Sequence, residues 1–266
     1  MAQEVKLGDK PDLIKDFPIL SIDDWKKQVE KDLKGESFDK KLITKTYEEI
    51  NLQPLYTSND IKDLPQINNF PGFQNYLRGS NVSGYTSRSW EIAQEYNQAL
   101  PEELNEALRS DLKRGLNSIN IVFDNPTQLG IDADQSKAGE VGKDGLSISG
   151  VRKMQVLFKD IDLTNQPINI FGGFSALPIT LLFTAYANET RVSLMNIKGS
   201  ITSDPYEYLI ANGDLPISLN QIFDEMKLAT ELMIKSNSPI KTIGVCGLQF
   251  NNAGANAVQE LAFTIA

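Results

Sequence analysis

Hydrophobic and polar positions change texture near residue 100. Before it the pattern is broken by Lys, Asp, Asn and Pro; after it, helix-period and strand-like stretches alternate. In the first region Ser21, followed by Ile22-Asp23-Asp24, reads as a helix start. A hydroxyl there can cap the first turn, and Asp24 stands three residues on. Trp25, Val29 and Leu33 follow at helical spacing, and Gly35 supplies the stop. Residues 41–46 alternate weakly and predict a strand. Residues 52–84 carry repeated Pro, Asn and Gly with no sustained period. So long a structureless connection is unusual inside a compact domain, and it reads as an arm lying along a larger body. Residues 1–80 are therefore assigned to an extended arm with one short helix, and 81–266 to the main domain.

Beyond residue 100 the punctuation is clear. Pro101-Glu102-Glu103 opens a helix, with proline in the first turn and acids facing the dipole, and Gly115 ends it. SINIVF (118–123) predicts a strand closing on Asp124, residues 146–148 a weaker one, and residues 167–171 a third that runs into Gly172-Gly173. Ser175 is placed to cap the apolar helix that follows. Residues 198–202 predict a fourth strand, after which Asp204-Pro205 gives a cap and a first-turn proline. Ser218 with Gln221 has capping-box spacing and leads Leu219, Ile222, Phe223, Met226 and Met233 along one helix. Residues 240–246 predict a fifth strand and residues 253–266 a closing helix. Strand then helix, repeated about five times, predicts an α/β fold on a parallel sheet. Asp124, Gly172, Ser203, Asp204, Gln249 and Asn251 then gather just past strand ends, where such folds place their sites. No dinucleotide fingerprint follows the first strand, which favours a barrel over a doubly wound sheet. Five units are too few to close an eight-stranded one.

Composition narrows the chemistry. The 266 residues carry a net charge of −9 and no histidine. A surface this acidic repels phosphate backbones, which excludes nucleic acid as a partner. An anionic ester would need a local cluster of cations or helix N-termini. Without imidazole there is no Ser/His/Asp or Cys/His arrangement and no usual proton shuttle near neutral pH. The single cysteine, Cys246, rules out an internal disulfide and a cysteine metal cage; it suggests a reducing, cytoplasmic setting, and among Ile243, Gly244 and Val245 it reads as a small core residue. The N-terminal MAQEVKLGDK lacks the apolar centre of a signal peptide, and no apolar run is long enough to span a bilayer. Gly139-Glu140-Val141-Gly142-Lys143-Asp144 has the wrong glycine spacing for a phosphate loop and no Ser or Thr after its lysine. Asp132 and Asp134 read as turn residues rather than metal ligands. Trp25 reads as a packing anchor on its helix, while Trp90 stays open between packing and ligand stacking.

Four strings taken together resemble the methylmalonyl-CoA mutase family. They are KLITKTYEEINLQPLYT (41–57), SGYTSRSWEIAQ (83–94), NIVFDNPTQLGIDAD (120–134) and GLQFNNAGA (247–255), the last continued by Gln259-Glu260-Leu261-Ala262. The resemblance implies a (β/α)₈ barrel that threads a CoA ester along its axis, with adenosylcobalamin held by a separate carboxyl-terminal domain through an Asp-x-His-x-x-Gly motif. Nothing here matches that motif, so no cofactor or metal is expected on this chain, although adenosylcobalamin is expected in the holoenzyme. On this likeness the chain is the first five or so units of the barrel and stops inside the helix after the fifth strand, as a piece of a longer subunit would.

The departures are as informative. By motif match the family's active-site tyrosine falls at Glu95, with Tyr96 beside it. The glutamine of its I-Q-N-D string falls at Thr202, the arginine that grips the substrate carboxylate at Asn212, and the histidine over the substrate at Gln249. Tyr85 and Arg88 keep the tyrosine and arginine of the family's string; the resemblance implies that both are substrate-binding positions and that Arg88 contacts the CoA tail. An amide in place of the arginine removes charge-assisted bonds to a carboxylate, and Gln249 can bond a thioester carbonyl but cannot give it a proton. The pattern resembles the family's small, non-catalytic subunit, which implies a catalytic large subunit as partner. The alternatives are an isomerase for a different acyl-CoA and an acyl-CoA-binding regulatory module.

Overall fold

The computed structural model describes residues 20–87 and 89–266, so the amino-terminal string read for a leader lies outside the described residues. The chain divides into two units, residues 1–78 and 79–266.

In the first unit α1 (Ile22–Asp32) begins at Ser21, whose Oγ accepts from Asp24 N at 3.1 Å and donates to Asp24 Oδ2 at 2.6 Å. The Trp25 ring meets Phe38 of α2 (Phe38–Leu42) edge-on at 6.1 Å, the packing role expected of it. The strand predicted over 41–46 shrinks to β1 (Thr44–Lys45), paired antiparallel with β2 (Asn51–Leu52). Helix α3 (Ser58–Ile61) is held by a capping box between Thr57 and Asp60. Residues 62–78 run through successive turns. No described residue of this unit is buried; Tyr47, Phe70, Phe73 and Tyr76 are all well exposed.

The second unit is built on five parallel strands in consecutive order: β3 (Ala93–Tyr96), β4 (Ser118–Val122), β5 (Ile168–Phe171), β6 (Gly199–Ser203) and β7 (Lys241–Ile243). Apolar positions alternate in the three inner strands. Ile119, Ile121, Ile168, Ile170 and Ile201 point to one face and are buried. Against them pack Leu104 and Leu108 of α4 (Pro101–Leu112), Met154 and Leu157 of α6 (Val151–Leu157), Ile179, Phe183 and Tyr186 of α7 (Ala176–Thr190), and Met233 of α9 (Leu219–Lys235). These four helices lie side by side along that face. The short α5 (Asn125–Leu129), α8 (Pro205–Asn212), α10 (Leu248–Asn252) and α11 (Ala257–Ile265) stand in the segments that follow β4, β6 and β7.

The parallel α/β fold agrees with the sequence; its strand list needs correction. β3 escapes the sequence reading because only Tyr96 of its four residues is buried, so the edge strand carries no apolar period. Residues 146–148 form no strand. Leu146 makes a single parallel bridge to Phe123 and, with Ile148, fills the core. The fifth strand ends at Ile243; Ile243 and Val245 are exposed, and Cys246 sits half-buried in a loop, not in the core. Ser175 makes no capping bond, because the chain enters α7 through a 3₁₀ turn. The closing helix, expected over 253–266, begins only at Ala257: Gly254 at φ +98° keeps the chain out of helix there, and Asn256 with Gln259 caps α11. At Ser218 only half the box forms, the Oγ accepting from Gln221 N at 3.3 Å.

Candidate functional site

The strands end on two buried aspartates that shape the loops beyond them. Asp124, 1% exposed, accepts from Thr127 N at 2.9 Å through one oxygen and from Gly142 N at 2.6 Å through the other. It thus caps α5 and ties down the 139–144 loop. A carboxylate thus occupies Gly142 N, which argues further against the phosphate-loop reading. Asp204, 6% exposed, accepts from Tyr206 N and Glu207 N through Oδ1 and from Cys246 N at 2.7 Å through Oδ2. One side chain so starts α8 and holds the loop after β7. Both oxygens of each aspartate face backbone N–H groups, which makes these residues fixed supports and not free bases.

The sheet face turned away from the helices carries a polar row, a feature that the sequence reading misses. Register places Glu95, Asn120, Asn169, Ser200 and Lys241 in one row, one residue from each strand. Asn169 joins part of it: its Nδ2 donates to Ser118 Oγ at 3.2 Å and its Oδ1 accepts from Ser200 Oγ at 2.9 Å. Ser118 Oγ in turn donates to Glu91 Oε2 at 3.3 Å. The signal lies in Ser118 and Asn120 of SINIV, Asn169 of INIF and Ser200 and Thr202 of GSITS, although Val122 and Phe171 share that face.

The expected site residues scatter over this scaffold. Glu95 and Thr202 lie on the polar face, Glu95 beside Asn120 and Thr202 beside Phe171. Gly244 passes so close over Thr202 that a Cβ there would stand 3.0 Å from the threonine Cβ and Oγ1. Gln249, in α10, is half-buried. Asn212 is the last residue of α8; it is exposed, and its Nδ2 donates to Tyr208 O of its own helix at 3.0 Å. Tyr85 is exposed in the loop before β3. Its ring meets Trp90 edge-on at 6.2 Å beside a hollow of about 310 Å³ that Asn81, Ser89 and Glu91 also line. Arg88 lies outside the described residues. The structure thus brings Thr202 against the β7 loop and Tyr85 against Trp90, and leaves Asn212 turned to its own helix.

Tyr96 cannot stand in for the family's tyrosine. Strand alternation sends it to the helix side, where its Oη donates to Asp111 Oδ2 at 2.8 Å and burial, then that bond, push its pKa above the usual value. Burial first, and a bond to Glu207 with it, likewise raise the Cys246 thiol. Among the described residues no group of three or more acidic or cysteine side chains could hold a metal ion. Nor is any helix there long and apolar enough to cross a membrane.

The model of the methylmalonyl-CoA mutase family matches residues 45–266. The methylmalonyl-CoA mutase of Rhizobium meliloti is 32% identical over 251 residues, covering 92% of this chain and 34% of that protein. That of Escherichia coli K12 is 31% identical over 252 residues, 92% of this chain and 35% of the other. The methylmalonyl-CoA mutase large subunit of Streptomyces virginiae is 30% identical over 254 residues, 94% and 34%. The chain belongs to the methylmalonyl-CoA mutase family, and it spans about a third of the length of these relatives.

Proposed function

We propose that this member of the methylmalonyl-CoA mutase family serves in a small, non-catalytic subunit that supports a catalytic large subunit interconverting methylmalonyl-CoA and succinyl-CoA. The observation that carries the reading is the state of the reacting positions. Glu95, Asn212 and Gln249 stand where the resemblance places a tyrosine, an arginine and a histidine, and the Asn212 amide bonds its own helix. A carboxylate at residue 95 would repel a substrate carboxylate in a low-dielectric channel. No group at these positions can donate a proton and hold a carboxylate together.

The consecutive, all-parallel order of β3 to β7 supports reading the second unit as part of a (β/α)₈ barrel, its polar face turned inward and further strands pairing on the free edges of β3 and β7. Tyr85 and Arg88 would then meet a CoA ester at the amino-terminal side. Adenosylcobalamin belongs to the holoenzyme in this reading. The residues of this chain do not fit it, since no histidine is present to reach cobalt. Residues 1–80, with their exposed apolar side chains, would lie on the large subunit, and the assembly would work in the cytoplasm.

The test is turnover of methylmalonyl-CoA, with adenosylcobalamin supplied, by the purified chain alone and with the large subunit that copurifies from the native organism. The expected result is none alone and activity only in the complex. Turnover by the chain alone would overturn the reading and favour an isomerase with a different set of groups.

A further inference from the structure

Asn212-Gly213 is the single Asn-Gly pair of the 266 residues. Such a pair carries a reaction of its own. The backbone nitrogen that follows an asparagine can attack the side-chain amide carbon, and glycine, with no side chain, leaves that nitrogen open to the approach. Gly213 N gives up its proton and bonds Asn212 Cγ, the Nδ2 group leaves as ammonia, and a cyclic imide closes. Water then opens the ring at either carbonyl, to aspartate or to isoaspartate. One water enters, one ammonia leaves, and no other reactant is required.

The structure holds the two reacting groups apart. Asn212 is the last residue of α8, and a helical side chain leans back towards the amino terminus. Its Nδ2 donates to Tyr208 O at 3.0 Å, which keeps Cγ over the preceding turn. Gly213 N lies on the other side and donates to Leu209 O at 2.8 Å, in the left-handed conformation at φ +86° that ends the helix. Attack needs both bonds broken. The turn that makes them has little else to hold it. Pro205 is the one buried residue of α8, and the ring contacts of the helix, Tyr206 with Phe223 and Tyr208 with Phe174, come from its first half. Ile210, Ala211 and Asn212 are exposed. A helix end with so little burial opens more readily than the core beneath it.

We propose that Asn212 is a site of spontaneous conversion to aspartate and isoaspartate, gated by the opening of the last turn of α8. Closed, the turn withholds the nitrogen; open, it releases it, so the rate in the folded chain follows the population of the open turn. The change runs one way. A carboxylate at residue 212 faces the negative end of the helix dipole, and isoaspartate lengthens the backbone by a methylene, so the bond to Leu209 O cannot re-form in place. The resemblance sets an arginine at this position, and the product puts the opposite charge there. The inference rests on the geometry of α8 and not on the non-catalytic reading.

The experiment follows residue 212 of the full chain at mildly alkaline pH, folded and in guanidinium chloride. Peptide mass spectrometry reads the gain in mass of acid over amide, and chromatography of the same peptide separates aspartate from isoaspartate. Conversion should be fast in denaturant and about tenfold slower in the folded chain, which corresponds to an opening free energy of about 1.4 kcal/mol. Ala211→Gly alters an exposed residue of the same turn. It should speed conversion of the folded chain about fivefold, the equivalent of the roughly 1 kcal/mol by which glycine weakens a helix relative to alanine. The rate in denaturant should stay as it was, and circular dichroism shows that the fold is kept. Equal rates in the folded and unfolded chain would overturn the gate, as would a folded chain that does not respond to Ala211→Gly. No conversion of residue 212 in denaturant would overturn the site itself.

Discussion

Glu95 and Tyr96 are neighbours in sequence and face opposite sides of the sheet, which settles what each can do. The resemblance places a reacting position at Glu95 with a tyrosine one step away; alternation puts that tyrosine in the core. The parity is legible in the sequence only once residues 93–96 are known to form a strand, and one buried side chain in four gives no such sign. Tyr96→Phe should therefore leave any ligand binding unchanged and cost about 1.5–3 kcal/mol, the worth of a hydrogen bond to a charged group. The low end is favoured because Asp111 keeps its ion pair with Arg114 at 2.8 Å. Sign follows from the raised pKa: folded Tyr96 ionises above the ordinary 10.0. Its contribution is whole below pH 10 and is lost as pH climbs past it, because the unfolded chain gives up that proton first. Urea unfolding at about pH 7 and about pH 10.5 checks this: the gap between parent and variant should narrow at the higher pH.

Elements are legible where caps and periods agree. Asp204-Pro205 starts α8, Ser21 caps α1, and Pro101 opens α4, as their local chemistry dictates. Misreadings come from tertiary demands. Leu146 and Ile148 look like a strand because the core needs them, though their backbone makes only one bridge. Residues 244–246 look like strand because they are apolar, yet Asp204 draws Cys246 N out of line. The loop after β7 also depends on a glycine for a steric reason alone. Gly244→Val would drive a side chain into Thr202, where a bare Cβ already meets two atoms at 3.0 Å. Overpacking of this kind costs about 1–3 kcal/mol. The melting temperature should fall accordingly, and Thr202→Ala should restore part of it. Full additivity of the two changes in a double-mutant cycle would show that the contact does not matter.

At the scale of the whole molecule the two units differ in kind. The second has a continuous core from β3 to α9, whereas the first offers helices, a two-residue hairpin and turns with no buried side chain among the described residues. A chain segment that buries so little cannot offset its own conformational entropy by hydrophobic burial. In the proposed reading its exposed Tyr47, Phe70, Phe73 and Tyr76 belong to the surface that the large subunit would cover. That much is legible in residues 52–84 themselves, because Pro, Asn and Gly without period give no apolar face from which to make a core. The proposed partner is not legible, since a partner leaves no mark on one sequence. If the arm binds the large subunit, deleting residues 1–80 should abolish the complex in sedimentation velocity at micromolar concentrations. The far-ultraviolet dichroism of the remaining unit should keep its helical strength, because α4, α6, α7 and α9 draw their burial from the sheet. An unchanged sedimentation profile would place the contact on the second unit, where the free edge of β7 and the exposed Leu261, Phe263 and Ile265 of α11 stand ready for it.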